Sequence, residues 1–486
     1  MFANNMSNKT GVRSLSFNAG FLVFSRVLEK AILFIYILIL ARLLGPEMIG
    51  LYNYGLAWYL IFLPLACWAL GQLLGMYLGR KPSNTEDIVG ATLLIRIFAT
   101  VLAALFCFII GFLTNDDPLS RIVVSVFVIA LVGRSLAMWG RACFVAVELS
   151  HYSAGLEVGF RLLEVFCGLI YFFFGGGIIG LCAIHSACFV VEGLIAIVLV
   201  RKRLSFRKIF VPSSFLRPYA VEAFPIVLNI FFLLALFQSG FVVLKHVSMD
   251  MRTLGLYTVA SLLISNTAFI SEALGNAALP ILSRAHARGT GETIIFLEAM
   301  LKICTLCSAV LIIFVIIFDT IIIQILYGEK YLMASGVLVI CAIAMLSCYA
   351  LPIVNSVLYA GFEYVLAAVN IGVALIANII VTILLVPSMA EKAPAFGLLT
   401  GASIALILHL ILIHRRIGKI SWWRSVIKPN ASVILAITVT WNLKQFGVWG
   451  LGVGLVILGA CFAGWKMITP QEVDYFVKLV PWLHRS

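Results

Sequence analysis

Fourteen apolar stretches, most of them long enough to cross a bilayer, constrain this chain of 486 residues more than any other feature. A spanning helix needs about 20 apolar residues, because roughly 30 Å of hydrocarbon is divided by about 1.5 Å of rise per residue. Runs between charged or Pro/Gly-rich breaks place helices near 17–41, 52–78, 88–113, 120–141, 152–174, 178–200 and 219–243. A second set follows near 255–279, 297–318, 332–357, 364–386, 396–413, 429–443 and 447–467. Only 11% of the residues are charged against 63% hydrophobic, whereas a soluble domain carries about 25% charged residues. That is too little charge to clothe a water-facing surface, which excludes a soluble enzyme, a disordered chain and a collagen-like chain. The expected fold is all-α: a polytopic membrane protein of about 14 transmembrane helices, in two six-helix lobes plus a terminal pair.

The basic residues test this map. Of 34 Lys and Arg, 21 fall on the side of the termini, 7 on the opposite side and 6 within helices. The excess marks the cytoplasmic face and places both termini there. Arg26, Glu29 and Lys30 interrupt the first segment, which runs past signal-peptide length and reads as a retained helix. Most of the 11 Cys lie in apolar runs, where Cys packs as a small hydrophobe. Cys304 and Cys307 form a CxxC spacing with no second pair or His beside it, so no metal site is expected. No phosphate-binding G-x-x-x-x-G-K-[ST] string occurs. No segment between spans is long enough for a soluble catalytic domain, and Asp116-Asp117 reads as a solvated loop before Pro118. Neither enzymatic activity nor a cofactor is expected.

The longest basic break, 201–218 (RKRLSFRKIFVPSSFLRP), divides the first twelve helices equally. Residues 1–200 then form an N-terminal lobe, 201–218 a cytoplasmic linker, 219–416 a C-terminal lobe, and 417–486 the last two spans and tail. Gly50-Leu51-Tyr52 is answered by Gly255-Leu256-Tyr257, Leu70-Gly71 by Leu274-Gly275, and Arg80 by Arg284. Parallel repeats of this kind describe two lobes that rock about a central site. The linker reads as a positive anchor on anionic headgroups.

A charged group at mid-helix costs about 2.5–3.5 kcal/mol on insertion scales, so each asks for a partner, water or a function. The first lobe holds five basic residues in its spans, Arg26, Lys30, Arg96, Arg134 and Arg161, and four acidic ones, Glu29, Glu157, Glu164 and Glu192. They fall at similar depth. The second lobe offers mainly Asn229, Asn266, Asn276, Asn370, Asn378 and His409, with Glu272 and Lys302. Helical spacing pairs Arg26 with Glu29, Glu157 with Arg161, and Arg161 with Glu164. A layer of arginines suits a phosphate or pyrophosphate, whose oxygens the guanidinium fork bonds bidentately. The five basic residues are therefore the candidates for substrate binding, and the four glutamates for carrying a proton or ion.

Ser25-Arg26-Val27-Leu28, Ala41-Arg42-Leu43-Leu44-Gly45-Pro46-Glu47 and Gly50-Leu51-Tyr52 resemble the start of bacterial polysaccharide-repeat flippases of the O-antigen type. These belong to the multidrug/oligosaccharidyl-lipid/polysaccharide exporter superfamily. Asn370-Ile371-Gly372 through Pro387, and Phe396-Gly397-Leu398-Leu399 to His414-Arg415-Arg416, are similar to its eleventh and twelfth helices. The resemblance implies a bacterial inner-membrane transporter. Its substrate would be undecaprenyl-pyrophosphate-linked oligosaccharide, and its neighbours membrane lipids, a polysaccharide polymerase and chain-length machinery, with no nucleic acid. It also implies a cavity role for Arg26. The alternative is an ion-coupled multidrug or cation exporter of the same superfamily, which would place carboxylates in an aromatic, otherwise uncharged chamber.

Overall fold

The computed structural model describes residues 2–71, 74, 85–204, 213–269, 271, 275, 278–279, 282, 286, 289–465, 467 and 472; side chains are described from residue 24 onward, except at 85, 213–220 and 222. Arg80, Glu272, Leu274, Asn276, Arg284 and residues 205–212 of the linker lie outside the described set. All the regular structure among the described residues is helical. Seven helical stretches there are long and apolar enough to cross a membrane by length and composition. The chain divides into two compact units, Met1–Val242 and Val243–Ser486.

The first unit begins with α1 (Phe2–Cys67), two helical arms joined at Gly45, whose φ of 77° and ψ of 174° only glycine adopts without strain. Pro46 then starts the second arm, where a missing N–H costs nothing. That arm ends sooner than the apolar run suggests, because Trp68 and Ala69 take positive φ. Next come α2 (Thr85–Thr114), α3 (Pro118–Ala146), α4 (Ser150–Phe173) and α5 (Ile178–Arg203). The expected loop residue Asp117 is in fact the N-cap of α3, accepting from the Ser120 N–H at 2.9 Å, with Pro118 in the first turn. Helices α3 and α5 cross closely. A Cβ at Gly133 would run into the backbone of Phe189 and Val190, and one at Gly193 would sit 2.8 Å from the Gly133 carbonyl. Small residues let helices approach where lipid supplies no hydrophobic drive between them. Leu93, Trp139, Phe144, Leu156 and Ala196 fill the core beside this crossing.

Helix α6 (Ser213–Ser248) runs through the division between the units. The second unit continues with α7 (Met251–Ser265), α8 (Thr290–Tyr327), α9 (Ala334–Cys348), α10 (Leu351–Ala360), α11 (Tyr364–Met389), α12 (Ala393–Arg416), α13 (Lys428–Asn442) and α14 (Val448–Gly464). The single span expected at 332–357 is interrupted at Tyr349 and Ala350, just before Pro352, which sits in the first turn of α10. Ile313, Val433, Ala436 and Leu458 tie α8 to the final pair of helices.

Candidate functional site

The charged residues of the first unit converge from four helices. Along α4, Glu157, Arg161 and Glu164 follow one another at spacings of four and three, which keeps them on one face. Facing them are Glu29 from α1, Arg134 and Arg141 from α3, and His185, Phe189 and Glu192 from α5. Arg161, 5% exposed, is the hub. Its Nη1 donates to Glu164 Oε2 at 2.7 Å, and its Nη2 and Nε donate to Glu29 Oε1 at 2.8 and 3.2 Å. The other oxygen of Glu164 lies 2.7 Å from His185 Nδ1, and the Tyr52 hydroxyl 3.3 Å from the same nitrogen. Tyr59, Phe127 and Phe189 surround that imidazole.

A second ion pair closes the other side. Arg141 Nη1 meets Glu157 Oε1 at 2.6 Å, while its Nε is 3.7 Å from Glu192 Oε1. That Glu192 oxygen is buried and has no hydrogen-bond partner among the described residues. Between the two pairs, the Arg134 guanidinium lies 4.8 Å from the centre of the Phe189 ring, and the Arg161 guanidinium 5.5 Å from it. Both distances fall within the range in which a cation is drawn to an aromatic face. The described residues show no carboxylate paired with Arg134, and its buried Nε has no hydrogen-bond partner there. Glu29, Arg134, Arg141, Glu157, Arg161, Glu164 and Glu192 line one cavity of about 10 Å³, room for about one water.

The sequence candidates thus separate. Arg134 and Arg161 line the cavity with all four glutamates. Arg26 and Lys30 are exposed on the surface of α1. Arg96 is 1% exposed but lies apart, near Cys143, with Nε and Nη1 lacking partners among the described residues. Two of the three helical pairings expected from spacing are replaced by contacts between helices: Glu29 binds Arg161 rather than Arg26, and Glu157 binds Arg141 rather than Arg161. The cavity therefore holds three guanidiniums against four carboxylates, not an excess of basic groups. Sequence reasoning missed Arg141 and His185. Both carried a signal, since Arg141 lies seven residues after Arg134 and His185 seven before Glu192, two helical turns along the same faces. In the second unit, Lys302 pairs with Glu472 at 2.5 Å and Lys444 with Asp319 at 2.6 Å. No cluster suited to a metal ion occurs among the described residues.

Comparison with known proteins adds two findings. The profile of a family described as polysaccharide biosynthesis protein matches residues 15–286. Among solved structures, lipid II flippase MurJ in an inward closed conformation is similar over 92% of this chain and 98% of its own, at 12% identity and a TM-score of 0.66. An inward-facing multidrug-resistance MATE transporter of the MOP superfamily is similar over 80% of this chain and 94% of its own, at 14% identity and a TM-score of 0.57. The Vibrio cholerae MATE transporter VcmN in its bent form covers 83% and 98% respectively, at 15% identity and a TM-score of 0.52. At these identities the likeness is one of fold, shared with a flippase and with transporters. No curated protein matches by sequence.

Proposed function

Since this chain belongs to the polysaccharide biosynthesis protein family, we propose that it is a flippase for undecaprenyl-pyrophosphate-linked oligosaccharide repeat units. It carries them from the cytoplasmic to the outer leaflet of the bacterial inner membrane for O-antigen, capsule or exopolysaccharide assembly. Both termini face the cytoplasm, and residues 1–200 and 219–416 act as the two lobes of an alternating-access cycle. A polymerase and chain-length machinery take the product onward.

The observation that carries this reading is Arg134. It is a cavity-lining guanidinium stacked on Phe189 and, among the described residues, not paired with a carboxylate. It keeps its donors available for a pyrophosphate oxygen. Arg161 becomes available only when Glu29 and Glu164 let go. Arg26, Lys30 and Arg96 serve the same anion at other stages of its path. Among the four acids, Glu192 is the one we assign to proton coupling. It is 1% exposed and its nearest cation is 3.7 Å away, so its buried charge has the least compensation.

Arg134→Ala, expressed in cells lacking the native gene, is expected to abolish surface polysaccharide at unchanged protein abundance, while Arg134→Lys retains part of it. Normal polymer from Arg134→Ala would overturn the assignment. The surplus of carboxylates favours a second reading, an ion-coupled cation exporter. Resistance of expressing cells to lipophilic cations, with surface glycan unchanged, would establish it instead.

A further inference from the structure

The second unit contains a larger cavity that the proposed transport path does not use. The C-terminal ends of α8, α11 and α13 meet the N-terminal ends of α9 and α12 around an open cavity of about 620 Å³. That volume lies in the range of ligand pockets. Its walls are mostly apolar, with Val339, Ile340, Ile343, Phe396 and Leu399 on two of the helices and Trp441 at the mouth.

Two charges stand in this apolar setting. Glu391 is 9% exposed, lines the cavity, and has no hydrogen bond or ion pair among the described residues. Lys392, next to it in the chain, is half-buried and likewise unpaired among them, its stem lying against Gly336, where a Cβ would stand 3.0 Å from Lys392 Cε. The two do not pair with each other, because they are held on a turn of 3-10 helix between α11 and α12. The other acid of the lining, Asp319, is already bound to Lys444 at 2.6 Å.

Glu391 and Lys392 both line this mostly apolar recess with no charged partner among the described residues, which leaves both charges for a ligand to meet. A cationic ligand would meet Lys392 and an anionic one Glu391. Only a ligand carrying both charges close together, on an apolar stem that fits the walls, satisfies the whole lining. We infer that this cavity is a seat for a bilayer phospholipid with a primary-amine headgroup. The ammonium of the headgroup bonds Glu391, its phosphate bonds Lys392, and its acyl chains lie along Ile340, Ile343, Phe396 and Leu399. The cavity opens at the end of the unit that carries Lys330 and Lys444, which in the proposed orientation is the outer leaflet.

Native mass spectrometry of the delipidated, detergent-solubilised protein tests this without any transport assay. Dimyristoyl phosphatidylethanolamine, phosphatidylcholine and phosphatidylglycerol are titrated separately. The wild-type protein is expected to bind the ethanolamine lipid about tenfold more tightly than the other two, the gain of one hydrogen bond to a charged group. Glu391→Gln is expected to remove that preference, and Lys392→Gln to weaken all three lipids, since all carry the phosphate. Equal binding of the three lipids by the wild-type protein would overturn the inference even if a variant fails to fold. So would an ethanolamine preference that survives in a folded Glu391→Gln.

Discussion

Arg161 is the residue on which the first unit's buried charge depends. One guanidinium neutralises Glu29 and Glu164 together, and Glu164 in turn holds His185. Removing one partner of a buried pair leaves an uncompensated charge, which costs about 3–5 kcal/mol. Arg161→Met is therefore expected to lower stability by about that amount, read as a shift of the thermal unfolding midpoint in detergent. Adding Glu29→Gln and Glu164→Gln to it is expected to recover most of the loss, and no recovery would show that packing, not charge, is at stake. At this scale the sequence was half legible. That these charges lie in the membrane followed from hydropathy, but which way each one points did not. Arg26 and Glu29 sit three residues apart at nearly the same depth, yet one is exposed and the other 7% exposed. Arg141 reads as a charge at the end of a span, but α3 runs on to Ala146 and turns its side chain inward to Glu157.

At the scale of elements, the break in α1 and the crossing of α3 with α5 set where those charges meet. A Cβ added at Gly45 would meet nothing within 4 Å, so a substitution there tests the backbone alone. Gly45→Ala is expected to cost about 1–3 kcal/mol from strain, again as a lowered unfolding midpoint, and an unchanged midpoint would mean that the joint relaxes. Gly133→Val tests contact instead. It forces α3 away from Phe189 and Val190 and is expected to cost about 1–3 kcal/mol, with loss of surface polysaccharide beyond what the drop in protein abundance explains. A third element-level device lies outside the spans. Slight burial pushes the Asp250 carboxyl up, but the Thr253 hydroxyl and the N–H groups of Arg252 and Thr253 outweigh it and hold it below the ordinary carboxylate range. Its cap on α7 is thus fully present above the ordinary carboxylate pKa and lost as pH falls through the lowered value. Asp250→Asn should flatten that acid limb of stability. Helix positions were largely legible from apolar run length, because the bilayer fixes that length. The break at Trp68 and Ala69 was not, since nothing in local composition marks it, while the one at Tyr349 carried a signal in Pro352.

For the whole molecule, the testable quantity is sidedness. The 21 to 7 distribution of basic residues predicts that a cysteine placed at Lys202 resists membrane-impermeant maleimide in intact cells and reacts after permeabilisation, while one at Lys330 reacts in both. The opposite pattern would reverse the orientation and with it the direction of transport. The basic break and the weak repeat were visible in the sequence. The charge balance inside the first unit was not, because it depends on contacts between helices far apart in sequence. That balance has a further consequence. The cavity has room for about one water and its cations are largely occupied by its own glutamates. In the proposed cycle an anion would meet the unpaired Arg134 first, and to engage Arg161 or Arg141 as well it would have to displace an internal carboxylate, so that part of binding would be an exchange whose net free energy is a small difference between two large ones. A site of that kind would discriminate by charge yet hold its cargo loosely, and the displaced carboxylate, once the cargo left, would draw the arginine back to its starting partner.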